Sequence, residues 1–125
     1  MAQPIVYVDV SRIREGRLAE LETAMPALAG FVEEHMPRVI SYGFHLDESR
    51  ATMTVVAVHP DSASLEFHLD EGREEFRRFA DLIELERIEV YGRVGDEALE
   101  RLHAKARMLG RGTVSVHEPA AGFAR

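Results

Sequence analysis

Residues 38–69 read RVISYGFHLDESRATMTVVAVHPDSASLEFHL, and their reading decides the fold. Two apolar runs flank the polar stretch Asp47-Glu-Ser-Arg50, the pattern of a β-hairpin. A hairpin slipped by one residue exchanges its faces, so the apolar pattern selects the register. With Asp47 opposite Arg50, Ile40, Tyr42, Phe44 and Leu46 share a face with Ala51, Met53, Val55 and Ala57. The other face then carries Val39, Ser41, Gly43 and His45 with Thr52, Thr54, Val56 and Val58. One face is aromatic and apolar, the other small, partly polar and marked by a histidine. Asp61 follows Pro60 as an N-cap, and the helix it starts sets Leu65, His68 and Leu69 on one side.

Outward from this unit the chain alternates between the two periodicities. Ile5–Val10 is a strand with Val6, Val8 and Val10 on one face and Ile5, Tyr7 and Asp9 on the other. Leu18, Leu21, Met25, Leu28 and Val32 recur at helical steps, with Pro26 expected to kink the run and Met36-Pro37 to close it. After Leu69, Gly72 breaks the second helix and Arg73–Phe79 resumes it, with Phe76 and Phe79 inward. Leu82–Tyr91 is a strand with a bulge expected at Glu86-Arg87. Gly95-Asp96 starts a further helix with Leu99, Leu102, Ala106 and Leu109 inward and Gly110 as its C′ residue. Thr113–His117 is a last short strand, and Phe123 is the one anchor of the tail. The order βαββαβ followed by αβ predicts a single α+β domain over 1–125, ferredoxin-like, with 93–125 as an added helix and strand.

Composition bounds the role. A net charge of −7 argues against nucleic acid or an anionic membrane as partner, and no stretch is long and apolar enough to span a bilayer. The start, MAQPIVYVDV, lacks the basic segment of a secretory signal, and there is no cysteine, so a cytoplasmic setting is expected. No glycine-rich phosphate loop, nucleophile elbow or metal-ligand spacing occurs, so neither cofactor nor metal is expected. Both faces of the strands are apolar enough to need cover, and helices shield only one. A second copy of the chain is the simplest cover for the other.

The hairpin running into VAVHPDSASLEFHL (residues 56–69) resembles the antibiotic-biosynthesis-monooxygenase-like group of dimeric α/β barrels. In that group a strand leads into a capped helix bearing a histidine, and His68 matches it. The likeness covers Ile5 to about Gly92. It implies a homodimer with a pocket for a small apolar or aromatic molecule, and members include cofactor-independent monooxygenases and haem-degrading enzymes. Both catalytic branches use an asparagine and a tryptophan, and this chain has neither. Glu71–Phe79, where a haem ligand would lie, holds no histidine.

The residues therefore frame two functions. In one, His68 is the acid/base group of a cofactor-independent monooxygenase, since imidazole moves protons near neutral pH. Tyr42, His45 and Leu65 would then contact the ligand. In the other, His68 is a hydrogen-bonded core histidine, Tyr42 and Phe44 are core, and the protein is a non-catalytic ligand-binding or structural dimer.

Overall fold

A computed structural model describes residues 3–125; Met1 and Ala2, the start of the segment read against a signal sequence, lie outside them. The elements are β1 (Ile5–Ile13), α1 (Leu18–His35), β2 (Ser41–Leu46), β3 (Thr52–His59), α2 (Ser62–Glu71), α3 (Arg73–Arg77), β4 (Ile83–Tyr91), α4 (Asp96–Leu109) and β5 (Gly110–His117). They form one five-stranded sheet in the order β2-β3-β1-β4-β5. β1 runs antiparallel to both β3 and β4, whereas β5 runs parallel to β4 after the α4 crossover. The first four strands with α1 and the broken helix α2–α3 are the ferredoxin-like unit, and α4–β5 extends its edge.

The alternation in β1 becomes a two-sided sheet. Ile5, Tyr7, Asp9 and Ser11 are buried beneath the helices, together with Met53, Val55, Ala57 and His59 of β3 and Ile83, Leu85, Ile88 and Val90 of β4. Val6, Val8, Thr54, Val56 and Val58 point to the opposite face and stay partly exposed. The helices meet the first set: Leu21, Leu28 and Val32 from α1, Leu65 and Leu69 from α2, Phe76 from α3, Leu102 and Leu109 from α4. α1 continues through Pro26 as one helix, because its inward stripe is buried on both sides of the proline.

The hairpin faces are as the apolar pattern predicts, but the pairing differs by two residues. Tyr42 lies opposite Ala57, Phe44 opposite Val55 and Leu46 opposite Met53, so Asp47 faces Thr52 rather than Arg50. A shift of two keeps every side chain on its face. The cause is the loop chemistry: Asp47 Oδ1 accepts from the backbone N–H groups of Ala51 and Thr52, at 3.0 and 2.9 Å. That closes a longer loop, with Arg50 in the left-handed region at φ 59°. Ile40, placed on the apolar face by the sequence, precedes β2 and is 63% exposed.

Asp61 caps α2 as expected, its Oδ1 accepting from Ser64 N–H at 2.9 Å, an interaction worth about 1 kcal/mol. β4 is bulged where predicted: Val10 pairs with Arg87 and Ser11 with Leu85, leaving Glu86 unpaired. α4 departs from expectation on its inward stripe, which is Ala98, Leu102, Lys105, Ala106 and Leu109, with Leu99 at its margin. β5 begins at Gly110, directly after α4, without a connecting loop. A Cβ at Gly110 would lie 2.7 Å from the Leu85 carbonyl oxygen, so only glycine permits this parallel strand to dock so soon. Phe123 is 82% exposed, so it does not anchor the tail to the core as the sequence suggests.

Candidate functional site

Three ionisable side chains converge under the helices at the centre of the sheet. Tyr7 and Asp9 sit two apart on the inward face of β1, and Lys105 reaches them from α4. All three are buried, Lys105 to 7% exposure. The Lys105 ammonium donates to the Tyr7 hydroxyl oxygen at 2.8 Å and lies 3.5 Å from Asp9 Oδ2. The Tyr7 hydroxyl donates to that same Asp9 oxygen. The ammonium also stands over the Phe76 ring, 4.1 Å from its centre, and 4.9 Å from the centre of the Tyr7 ring, a cation–π arrangement that helps offset lost hydration. Asp9 Oδ1 is buried without a hydrogen-bond partner among the described residues.

Burial, then the negative charge of Asp9, raises the Tyr7 pKa well above its ordinary value, so the phenol is a neutral donor. Burial lowers the Lys105 pKa, and the neighbouring Asp9 carboxylate opposes that shift. The three side chains are held together out of water, with one Asp9 oxygen unengaged.

A histidine pair adjoins this cluster. His59 at the end of β3 and His68 on α2 are both fully buried, their ring centres 5.1 Å apart. His59 Nδ1 is 3.0 Å from the Ser64 hydroxyl, and His68 Nδ1 is 2.9 Å from the Met36 sulfur. A thioether only accepts, so His68 Nδ1 carries its hydrogen and Nε2 presents a lone pair. Nε2 of each ring is buried and unpartnered. Burial, then the positive charge of Lys105, holds the His59 pKa down to about 4, and the same two causes push His68 well below its usual value. Both imidazoles are neutral near pH 7. His68 also packs on Tyr42 (5.3 Å between ring centres) and on Phe76 (5.1 Å), so Phe76 links it to Lys105.

A space bordered by Asp9, Ser11, Tyr42, Phe44, Phe76 and Lys105 lies beside the cluster. Its volume is about 20 Å³, room for roughly one water. The structure brings three of the sequence-predicted residues into this layer: His68, Leu65 and Tyr42. His68 does not border the space itself; Tyr42 and Phe76, which it touches, do. His45 lies exposed on the opposite face of the sheet, beside Gly43. Tyr7, Asp9, Lys105 and His59 escaped prediction as site residues. The available signal was a lysine at helical spacing between Leu102 and Leu109, and an aspartate in phase with Ile5 and Tyr7. Among the described residues no group of three or more His, Cys, Asp or Glu side chains is placed to hold a metal ion. No described helix is long and apolar enough to cross a membrane.

No protein-family model matches the chain, and no curated protein matches it in sequence. Solved structures do. The chain is similar to MupZ from Pseudomonas fluorescens, at 19% identity and a TM-score of 0.75 over 98% of this chain and 95% of that one. That match takes in the α4–β5 extension. SnoaB from Streptomyces nogalater, a cofactor-independent oxygenase, matches at 16% identity with a TM-score of 0.62, over 71% of this chain and 91% of that one. A protein from Bacteroides thetaiotaomicron, assigned as an antibiotic biosynthesis monooxygenase, matches at 17% identity with a TM-score of 0.58, over 66% and 85%. Likeness at such identities speaks for the fold, and the fold of this chain is the ferredoxin-like α+β fold of the antibiotic biosynthesis monooxygenase-like proteins.

Proposed function

We propose that the layer between sheet and helices carries out proton abstraction from a small apolar or aromatic molecule, as the first step of a cofactor-independent oxygenation. The observation that carries this reading is the free oxygen of the buried Asp9 carboxylate, which borders an otherwise largely apolar space. Asp9 Oδ1 would take the acidic proton of the substrate. The Lys105 ammonium and the Tyr7 hydroxyl, already converged on Asp9, would stabilise the anion that forms. His68, neutral and with a lone pair on Nε2, is the second proton acceptor in this scheme; Tyr42 supplies apolar wall, with Leu65 in the same buried layer. Dioxygen is the oxidant: one of its atoms enters the product and the other leaves as water. SnoaB, with the same fold, is a cofactor-independent oxygenase, which supports the reaction class.

Oxygen uptake with a panel of anthrones, quinols and catechols tests this. Wild type should turn over at least one of them. Asp9→Asn and His68→Phe should each lower turnover by about 10²–10⁴-fold, the usual worth of a positioned base, and His45→Phe should leave it unchanged. The small volume of the inner space favours a second reading, a non-catalytic dimer that binds a small ligand or serves a structural role. No uptake by wild type across the panel would leave that reading standing.

The active assembly in this proposal is a homodimer. Val6, Val8, Val56 and Val58 form a half-exposed apolar strip on the face without helices, and His45 lies on the same face. A stable interface there would bury on the order of 2,000 Å². Sedimentation should show a dimer at micromolar concentration, and a stable monomer would remove this part of the proposal.

A further inference from the structure

The outer surface between α3 and α4 holds a groove of about 390 Å³, separate from the inner space described above. Its volume falls within the range of small-molecule sites. Of the six charged residues that line it, five are basic and only Asp70 is acidic. The chain as a whole has 22 acidic against 15 basic residues, so this concentration of cations runs against the overall charge. Arg101 is paired with Asp70 at 2.6 Å and approaches Glu97 at 3.8 Å, and Arg77 approaches Glu74 at 3.5 Å. Lys105 is turned inward to Asp9. Arg73 on α3 and Arg107 on α4 are exposed and form no ion pair among the described residues. The groove also has apolar lining, from Leu69, Phe76 and Met108.

Like charges held around one concavity repel each other, and an anion between them removes that cost. Guanidinium groups match a carboxylate with paired N–H donors. From this arrangement we infer that the groove is a binding site for an amphiphilic organic carboxylate. Its carboxylate is held by Arg73 and Arg107, and its apolar body lies on Leu69, Phe76 and Met108. The inference does not depend on the oxygenase reading. Phe76 and Lys105 belong to both the groove and the inner space, so they are the partition between the two.

Titration calorimetry with 6-phenylhexanoate, and with 6-phenylhexan-1-ol as its neutral counterpart, tests the assignment. The acid should bind about tenfold or more tightly than the alcohol. That preference should shrink as ionic strength rises from about 0.05 to about 0.5 M. Arg73→Gln/Arg107→Gln should lose about tenfold or more in affinity for the acid while leaving the alcohol unaffected. Arg93→Gln, an exposed arginine outside the groove, should bind as wild type does. Both arginines of the double variant are surface residues with no ion pair among the described residues, and an unchanged melting curve will show that its fold is intact. Equal affinities for acid and alcohol, no binding of the acid at millimolar concentration, or acid binding unchanged in the double variant would each overturn the assignment.

Discussion

Lys105→Met should lower the stability of the protein by about 3–5 kcal/mol, the usual cost of stranding one member of a buried ion pair. Methionine keeps the unbranched apolar stem, so packing against Phe76 is largely preserved and the charge is what is lost. Asp9 would then remain in the interior with Tyr7 as its one hydrogen-bond donor and its second oxygen already unpartnered. Asp9→Asn/Lys105→Met removes both charges and should recover part of the loss, which separates the stranded charge from the packing change. Urea midpoints at one fixed protein concentration measure both variants. A Lys105→Met midpoint within about 1 kcal/mol of wild type would mean that the ammonium does not compensate Asp9 in the folded protein.

Stability should also fall steeply between pH 6.5 and pH 4, the fall beginning well above the range in which ordinary carboxylates titrate. His59 and His68 have folded-state pKa values below that of an unfolded histidine, His59 at about 4. Above pH 6.5 both states leave these rings neutral and the histidines add no pH dependence. As pH falls below 6.5, the unfolded chain takes up protons that the folded chain refuses, so unfolding is favoured. For His59 alone the loss is about 2 kcal/mol at pH 5 and approaches roughly 3 kcal/mol at and below pH 4, and His68 adds to it in the same direction. Asp47, Asp61 and Glu84, whose pKa values are lowered by hydrogen bonds and arginine partners, contribute the same sign but in a lower window, beneath the ordinary carboxylate range. His59→Leu/His68→Phe should therefore flatten the slope above pH 5 and leave the more acidic limb. A wild-type urea midpoint that holds constant from pH 7 to pH 5 would show that these rings charge freely in the folded state.

Much of the architecture was legible because it rests on local pattern. The alternation of Ile5, Tyr7 and Asp9 with Val6, Val8 and Val10 set the faces of β1, and Asp61 after Pro60 marked the start of α2. The break in alternation at Glu86-Arg87 marked the bulge, because a strand with one extra residue must lose its period there. His68 was found inward for the same reason, one turn past Leu65 on the buried side of its helix. Where turn chemistry overrode pattern, as at Asp47, the faces survived and only the pairing moved.

The centre of the site lay beyond such reasoning. Lys105 and Tyr7 are 98 residues apart in the chain, and no periodicity connects them. Read locally, Lys105 is a charge on a helix with other charges, and Asp9 is a polar residue near the middle of a strand. They meet because β1 occupies the middle of the sheet and the α4 crossover returns over it to place β5 beside β4. That arrangement turns an ordinary lysine and an ordinary aspartate into a buried pair. The amino-acid sequence by itself determined the elements, their inward faces and the burial of His68, because hydrophobic period and capping act within a few residues. Only the tertiary structure decided which ionisable groups share the interior, because strand order and helix crossing bring together side chains that no local rule relates.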